Sequence, residues 1–197
     1  MFEREELGTD VVGVGLILVG VFAIGYNLFL GNFDAILWFC YLSLIITGFG
    51  IVAENGDVIV TQLNILTIPA LIWTVDFAFM LAGHSPFGIT TYFWGEGLIA
   101  KIISLQHLVT VPLAFYCLSI VKFGKTGMWK FSFLQAIVIF GLSRFFTHPL
   151  NNINYVFGSP FFMNNLGEVY PFVWFAVAFV AIFVTNFLIV RMSEFNE

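Results

Sequence analysis

The groups here that could do covalent or proton chemistry are a histidine, a cysteine and a threonine set among apolar residues. His107, in the run S-L-Q-H-L-V, is the one imidazole well inside an apolar stretch. Lys101, Ser104, His107 and Thr110 recur every three residues, which lays them on one slowly drifting stripe of a helix. Cys40, Ser43 and Thr47 follow i, i+3, i+7 and share a face of another helix. A Cys or Thr becomes a competent nucleophile when a base lies within hydrogen-bond reach. His107 with Thr47 or Cys40 is therefore a candidate catalytic pair. The bland reading of Ser43, Ser104 and Thr110 is that each hydroxyl bonds the carbonyl of the preceding turn.

A second concentration lies in residues 141–160, G-L-S-R-F-F-T-H-P-L-N-N-I-N-Y-V-F-G-S-P. It sets an arginine, a histidine, asparagines and prolines between two apolar runs. Arg144, His148, Asn151 and Asn154, together with Asp76 and Glu96, form a candidate binding set. An ionisable side chain inside a span is costly and faces the bundle interior, so Asp76 and Arg144, at similar depth, are expected to meet as a buried ion pair. The asparagines also have a structural reading, as caps of irregular backbone at membrane depth.

The elements that must hold these residues are membrane helices. The chain has 197 residues, 60% hydrophobic and 10% charged, with a mean hydropathy of +0.98. Soluble domains carry about 25% charged residues; a water-soluble fold of this size could not bury so much apolar surface. Stretches of about 20 apolar residues cross a bilayer, and six occur: 9–30, 35–53, 58–82, 98–121, 129–147 and 170–192. The fold class expected is all-α, a polytopic membrane protein with about six transmembrane helices in a single transmembrane domain. Pro69 is expected to kink the third span, and Pro112 lies inside the fourth. The acidic start, MFEREELGTD, with no small-residue cleavage site behind the first apolar run, points to a retained first helix. Lys122, Lys125 and Lys130 in one short loop mark that side as cytoplasmic, and Arg4 and Arg191 fall with it. Both termini are then cytoplasmic, and the loops at 84–96 and 148–169 face outward in a multi-pass cell-membrane protein. By helical rise, Thr47 lies roughly 18 Å and His107 roughly 14 Å below the outer ends of their spans. Thr47 is thus the better depth match to the base, and Cys40 sits nearer the surface.

Two pieces carry a resemblance. T-H-P-L-N-N-I-N-Y-V-F-G resembles a motif of small prokaryotic membrane proteins in which an Asn-Ile-Asn-aromatic-Val-aromatic-Gly run follows a proline. From about the second span to the fifth, the helix plan is similar to the YwaF-like and androgen-induced-gene-like six-helix membrane proteins. That layout has a small nucleophilic side chain on span two, Cys40 or Thr47 here, and a histidine on span four, His107. The resemblance implies a hydrolase or acyltransferase acting on lipid acyl esters through a Thr/His or Cys/His pair.

The reading from sequence is a membrane-embedded hydrolase or acyltransferase for a lipid or apolar ester. The alternatives are a non-enzymatic carrier or binding protein for a small amphiphile or anion, and an accessory subunit of a membrane complex. Membrane lipid is the expected partner. Nucleic acid is excluded by the net charge of −5 and the lack of any basic run. No Cys/His cluster suggests a metal, and no motif suggests a cofactor. Cys40 and Cys117 lie at opposite depths, which rules against a disulfide. The sequence leaves the oligomeric state open.

Overall fold

The computed structural model describes residues 2–124, 126–159 and 166–194, with side chains from residue 8 to residue 192 of these. Lys125 and the side chain of Arg4, both used above to orient the chain, lie outside the described residues. The fold is all-helical, with no strand among the described residues. The helices are α1 (Phe2–Phe29), α2 (Phe39–Val52), α3 (Gly56–Leu81), α4 (Leu98–Ser104), α5 (Gln106–Ile120), α6 (Trp129–Phe146) and α7 (Tyr170–Glu194). Short 3-10 turns stand at Phe33–Leu37, Thr91–Trp94, Ile153–Tyr155 and Gly167–Val169.

Five stretches are long and apolar enough to cross a membrane: Gly8–Phe29, Gly56–Leu81, Leu98–Ile120, Trp129–Phe146 and Gly167–Met192. The chain is that of a multi-pass membrane protein. The expected second span, 35–53, is the exception, because only the 14 residues of α2 are α-helical there. Trp38 has extended backbone (φ −59°, ψ 124°), which separates α2 from the 3-10 turn before it. The expected fourth span is also divided, with α4 ending at Ser104 and α5 beginning at Gln106.

α3 is the central helix: 56% of its most apolar window is buried, against 22–28% for the other four spans. It carries Ile59, Val60 and Leu63, all fully enclosed, against Leu44 and Ile51 of α2 and Ala114 and Cys117 of α5. Asn55 caps it, its Oδ1 accepting the Val58 N–H at 3.2 Å, and the helix continues through Pro69.

In lipid there is no hydrophobic drive between helices, so close backbone approach through small residues does the joining. α1 and α2 join in this way, and a Cβ on Gly48 would overlap the Gly13 carbonyl. Gly56 plays the same part at the start of α3, where a Cβ would meet the Lys122 carbonyl.

These contacts define two faces. The Asn55 turn lies with the loop after α5, since Asp57 Oδ1 accepts the Gly124 N–H at 3.1 Å. Asn186 of α7 donates to the Thr126 carbonyl of that loop at 2.9 Å. The opposite face gathers the segments 30–38, 82–97 and 147–159.

Candidate functional site

Of the residues singled out from sequence, the structure brings Cys40 and His107 to one place and disperses most of the rest. The place is made by the break between α4 and α5. Leu108 N bonds Leu105 O at 3.0 Å, one residue short of the α-helical partner, Ser104 O. His107 Nδ1 takes that released carbonyl at 2.8 Å. A side chain inserted into the backbone ladder is a known cause of helix bending. Because a carbonyl only accepts, Nδ1 carries the proton and Nε2 keeps its lone pair.

Gln106 Nε2 stands 3.2 Å from both ring nitrogens of His107, and its N–H serves Nε2. Gln106 Oε1 accepts Thr110 Oγ1 at 2.9 Å, and the Cys40 thiol lies beside the same side chain. One amide thus stands between the thiol of α2 and the imidazole of α5.

The outer wall is aromatic. His107, Trp73 and Phe77 stack in sequence, with centroids 4.8 Å apart at each step. Trp73 Nε1 donates to Tyr92 OH at 3.2 Å, and Tyr92 OH donates on to Ser104 Oγ at 3.2 Å. Lys101 holds its ammonium 5.9 Å from the Phe93 ring and 5.8 Å from the Trp94 ring, within cation–π range.

Thr47, the better depth match by helical rise, is completely enclosed and its Oγ1 has no hydrogen-bond partner. Cys40 is the second residue of α2, which begins late, at Phe39. Ser43, one turn from Thr47, shares its condition: 0% exposed, with no partner for Oγ. An unpartnered buried hydroxyl costs about 1–3 kcal/mol.

The remaining candidates are engaged elsewhere. Asp76 and Arg144 do not pair as expected. Both Asp76 oxygens accept from Ser85 Oγ at 2.9 Å, Oδ1 accepts Phe87 N at 2.8 Å, and Oδ2 accepts Thr90 N and Oγ1 at 2.8 and 2.7 Å. The loop after α3 folds back over the carboxylate and supplies the counter-dipoles that an arginine would have supplied. Arg144 Nη1 donates to the Val156 carbonyl at 3.0 Å, and the guanidinium lies 4.6 Å from the Phe157 ring centroid. Glu96 is exposed.

His148 and Asn151 are exposed and meet Asp34: its Oδ2 accepts His148 N at 2.7 Å and Asn151 Nδ2 at 2.8 Å. Asn154 is a structural tie. Its Oδ1 accepts Phe39 N at 2.9 Å, and its Nδ2 donates to Leu37 O at 2.6 Å and Ser143 Oγ at 3.0 Å. Its carbonyl accepts Trp174 Nε1 at 3.1 Å. It holds this place with φ +54°, a left-handed conformation that asparagine tolerates. Beside it, burial pushes the Tyr155 phenol up to about 12.

A second buried polar group escaped the sequence reading. Asn64 Nδ2 donates to Ser132 Oγ and to Asn186 Oδ1, both at 3.1 Å, and Gln62 pairs with Gln135 at 2.9 Å. These amides interrupt apolar runs of α3, α6 and α7, and that interruption was the available signal. Among the described residues, no group of three or more His, Cys, Asp or Glu is placed to hold a metal ion. No protein-family model, curated protein or solved structure matches this chain.

Proposed function

We propose that the protein binds the polar part of a membrane amphiphile in the half of the bundle where Cys40, Gln106, His107 and Tyr92 converge. The observation that carries this reading is the polar seam between α2 and α5, which ends in two enclosed hydroxyls with no partner. A nucleophile needs its base within hydrogen-bond reach, and here the thiol meets Gln106 while Thr47 has no partner. Non-covalent recognition therefore fits the arrangement better than a covalent step. Lys122, Lys130 and Arg191 stand toward one face, which we assign to the cytoplasm. The seam then opens toward the outer leaflet of the cell membrane. A Thr126→Cys variant tests the orientation. An impermeant maleimide should label it only after the membrane is opened, and labelling of intact cells inverts the assignment.

For the function, the protein carried from its membrane into mild detergent should retain lipid in native mass spectrometry. Gln106→Leu should lose that lipid while staying folded. Equal retention by wild type and variant would reject the seam as the binding place.

The acyl-transfer reading draws on one observation, that a single side chain separates Cys40 from His107. If Gln106 swings aside, the imidazole Nε2 can take the thiol proton. In that case the protein releases acid from a short-chain fluorogenic ester, and both Cys40→Ser and His107→Gln abolish the release.

A further inference from the structure

Hydroxyls inside these helices follow one habit, and three of them break it: Thr185 on α7, which stands alone, and the neighbouring pair Ser43 and Thr47 on α2. Thr61, Thr67, Thr110 and Thr147 each donate to the carbonyl four residues back, at 2.8, 2.7, 2.7 and 2.7 Å. That is the usual resting place of a hydroxyl in an apolar helix. Ser43 and Thr47 are turned away from it, are wholly enclosed and have no partner. Their face of α2 also carries Cys40, whose sulfur meets Gln106 of α5, and Gly50, which abuts Val58 and Ile59 of α3. The two hydroxyls therefore point into the seam between α2, α3 and α5.

Apart from Glu96, which is exposed at the surface, the nearby charges are already engaged. Asp76 is saturated by its loop, Lys101 lies over Phe93 and Trp94, and Arg144 is held by Val156 and Phe157. A charged ligand group would enter the seam without a counter-charge and at high cost. An unmatched buried donor is rarer in proteins than an under-used acceptor, so what the seam lacks is an acceptor. We propose that Ser43 and Thr47 donate hydrogen bonds to an uncharged carbonyl oxygen of a membrane-resident molecule. This rests on the binding reading above and names the group that is recognised. Two membrane sources carry such a group, the acyl ester of a glycerolipid and the ring carbonyl of a quinone. Both hydroxyls are enclosed here, so admission of the carbonyl parts α2 from α5.

The test compares the full-length protein in nanodiscs of diester phosphatidylcholine and of its diether analogue, which has the same chains and no carbonyl. The wild type should unfold about 2–4 °C higher in the diester discs. Ser43→Ala/Thr47→Val should abolish that difference. In diether discs the same variant should be more stable than wild type, because its unpartnered hydroxyls are gone. Ser43→Ala alone serves if the double variant does not fold. Should the ester give no gain, decyl-ubiquinone added to diether discs must raise the midpoint of wild type and not of the variant; that result assigns the carbonyl to a quinone. The proposal is overturned if neither carbonyl compound separates wild type from variant, or if the variant is the less stable in diether discs. His107→Gln keeps the two readings apart. If the carbonyl-dependent gain vanishes there but survives in Ser43→Ala/Thr47→Val, the binding site stands and the role of the hydroxyls falls.

Discussion

The surroundings of Asp76 and those of Ser43 and Thr47 are both fully enclosed, and they answer the same problem in opposite ways. A bare carboxylate within the bundle is the costliest group this chain could bury. The chain spends residues 85–90 on it, with two hydroxyls and two backbone amides turned onto its oxygens. The neutral hydroxyls on α2 receive nothing. The charge is finished by the chain that carries it, while the neutral pair is left open. Function in this membrane fold is thus better sought by asking which polar atoms lack a partner than by asking which residues carry charge.

The largest expected effect tests the first half of that comparison. Asp76→Ala leaves the Ser85, Phe87 and Thr90 donors facing an empty enclosed space. It should cost on the order of 4 kcal/mol, a fall of about 10 °C in unfolding midpoint in detergent. Arg144→Gln removes one hydrogen bond and a cation–π contact at an exposed position, and should cost less than about 1 kcal/mol. The double variant should show the sum, because groups without shared partners add. A loss smaller than the sum would mean that Asp76 and Arg144 interact after all.

Next comes Asn154→Ala, which removes both amide bonds to the start of α2 and the bond to Ser143. A cost of about 3 kcal/mol is expected, together with faster hydrogen exchange at Phe39 N. Unchanged exchange there would break the assignment of Asn154 as the tie. The smallest effects separate finished hydroxyls from open ones. Thr110→Val deletes a hydroxyl bonded to Gln106 and should lower stability by about 1 kcal/mol, whereas Thr47→Val should raise it by a similar amount in the absence of ligand. The same sign for both in diether discs would erase the distinction on which the comparison rests.

The helical architecture was legible because apolar length and loop residues act locally. Asn55-Gly56 and the lysines after α5 marked real ends, and five of the six expected spans are long apolar stretches. The second span was overestimated because 35–38 is apolar, and composition does not register that Trp38 adopts extended backbone. The break at Leu105 was not legible either. It lies seven residues before Pro112 and depends on His107 competing for the Ser104 carbonyl, a side-chain event with no compositional mark. The pairing of Asp76 with Arg144 failed for a related reason. Depth along a helix says nothing of the loops, and residues 85–90 fold back and reach the carboxylate first. The stripe of Cys40, Ser43 and Thr47 was correctly placed on one face. Which of these residues would find partners depended on the helices opposite. Gln106, the residue that stands between Cys40 and His107, went unremarked beside the histidine.

The shortness of α2 has a consequence for the bilayer around it. Fourteen residues reach about 21 Å, while a hydrocarbon core is about 30 Å thick. The end of α2 and the start of α3 are joined by a three-residue turn, so the deficit falls at the other end of α2, on the face that gathers 30–38 and 147–159. Irregular chain fills it: the 3-10 turn Phe33–Leu37 and the asparagine-bearing loop, whose backbone is satisfied by Asn152 and Asn154. Lipid beside α2 therefore meets irregular chain in place of helix over part of its depth, where the bilayer can thin or the head groups can sink at modest cost. Acyl chain length then sets how far the head groups stand from Cys40, so membrane thickness itself becomes a variable to which the mouth of the seam responds.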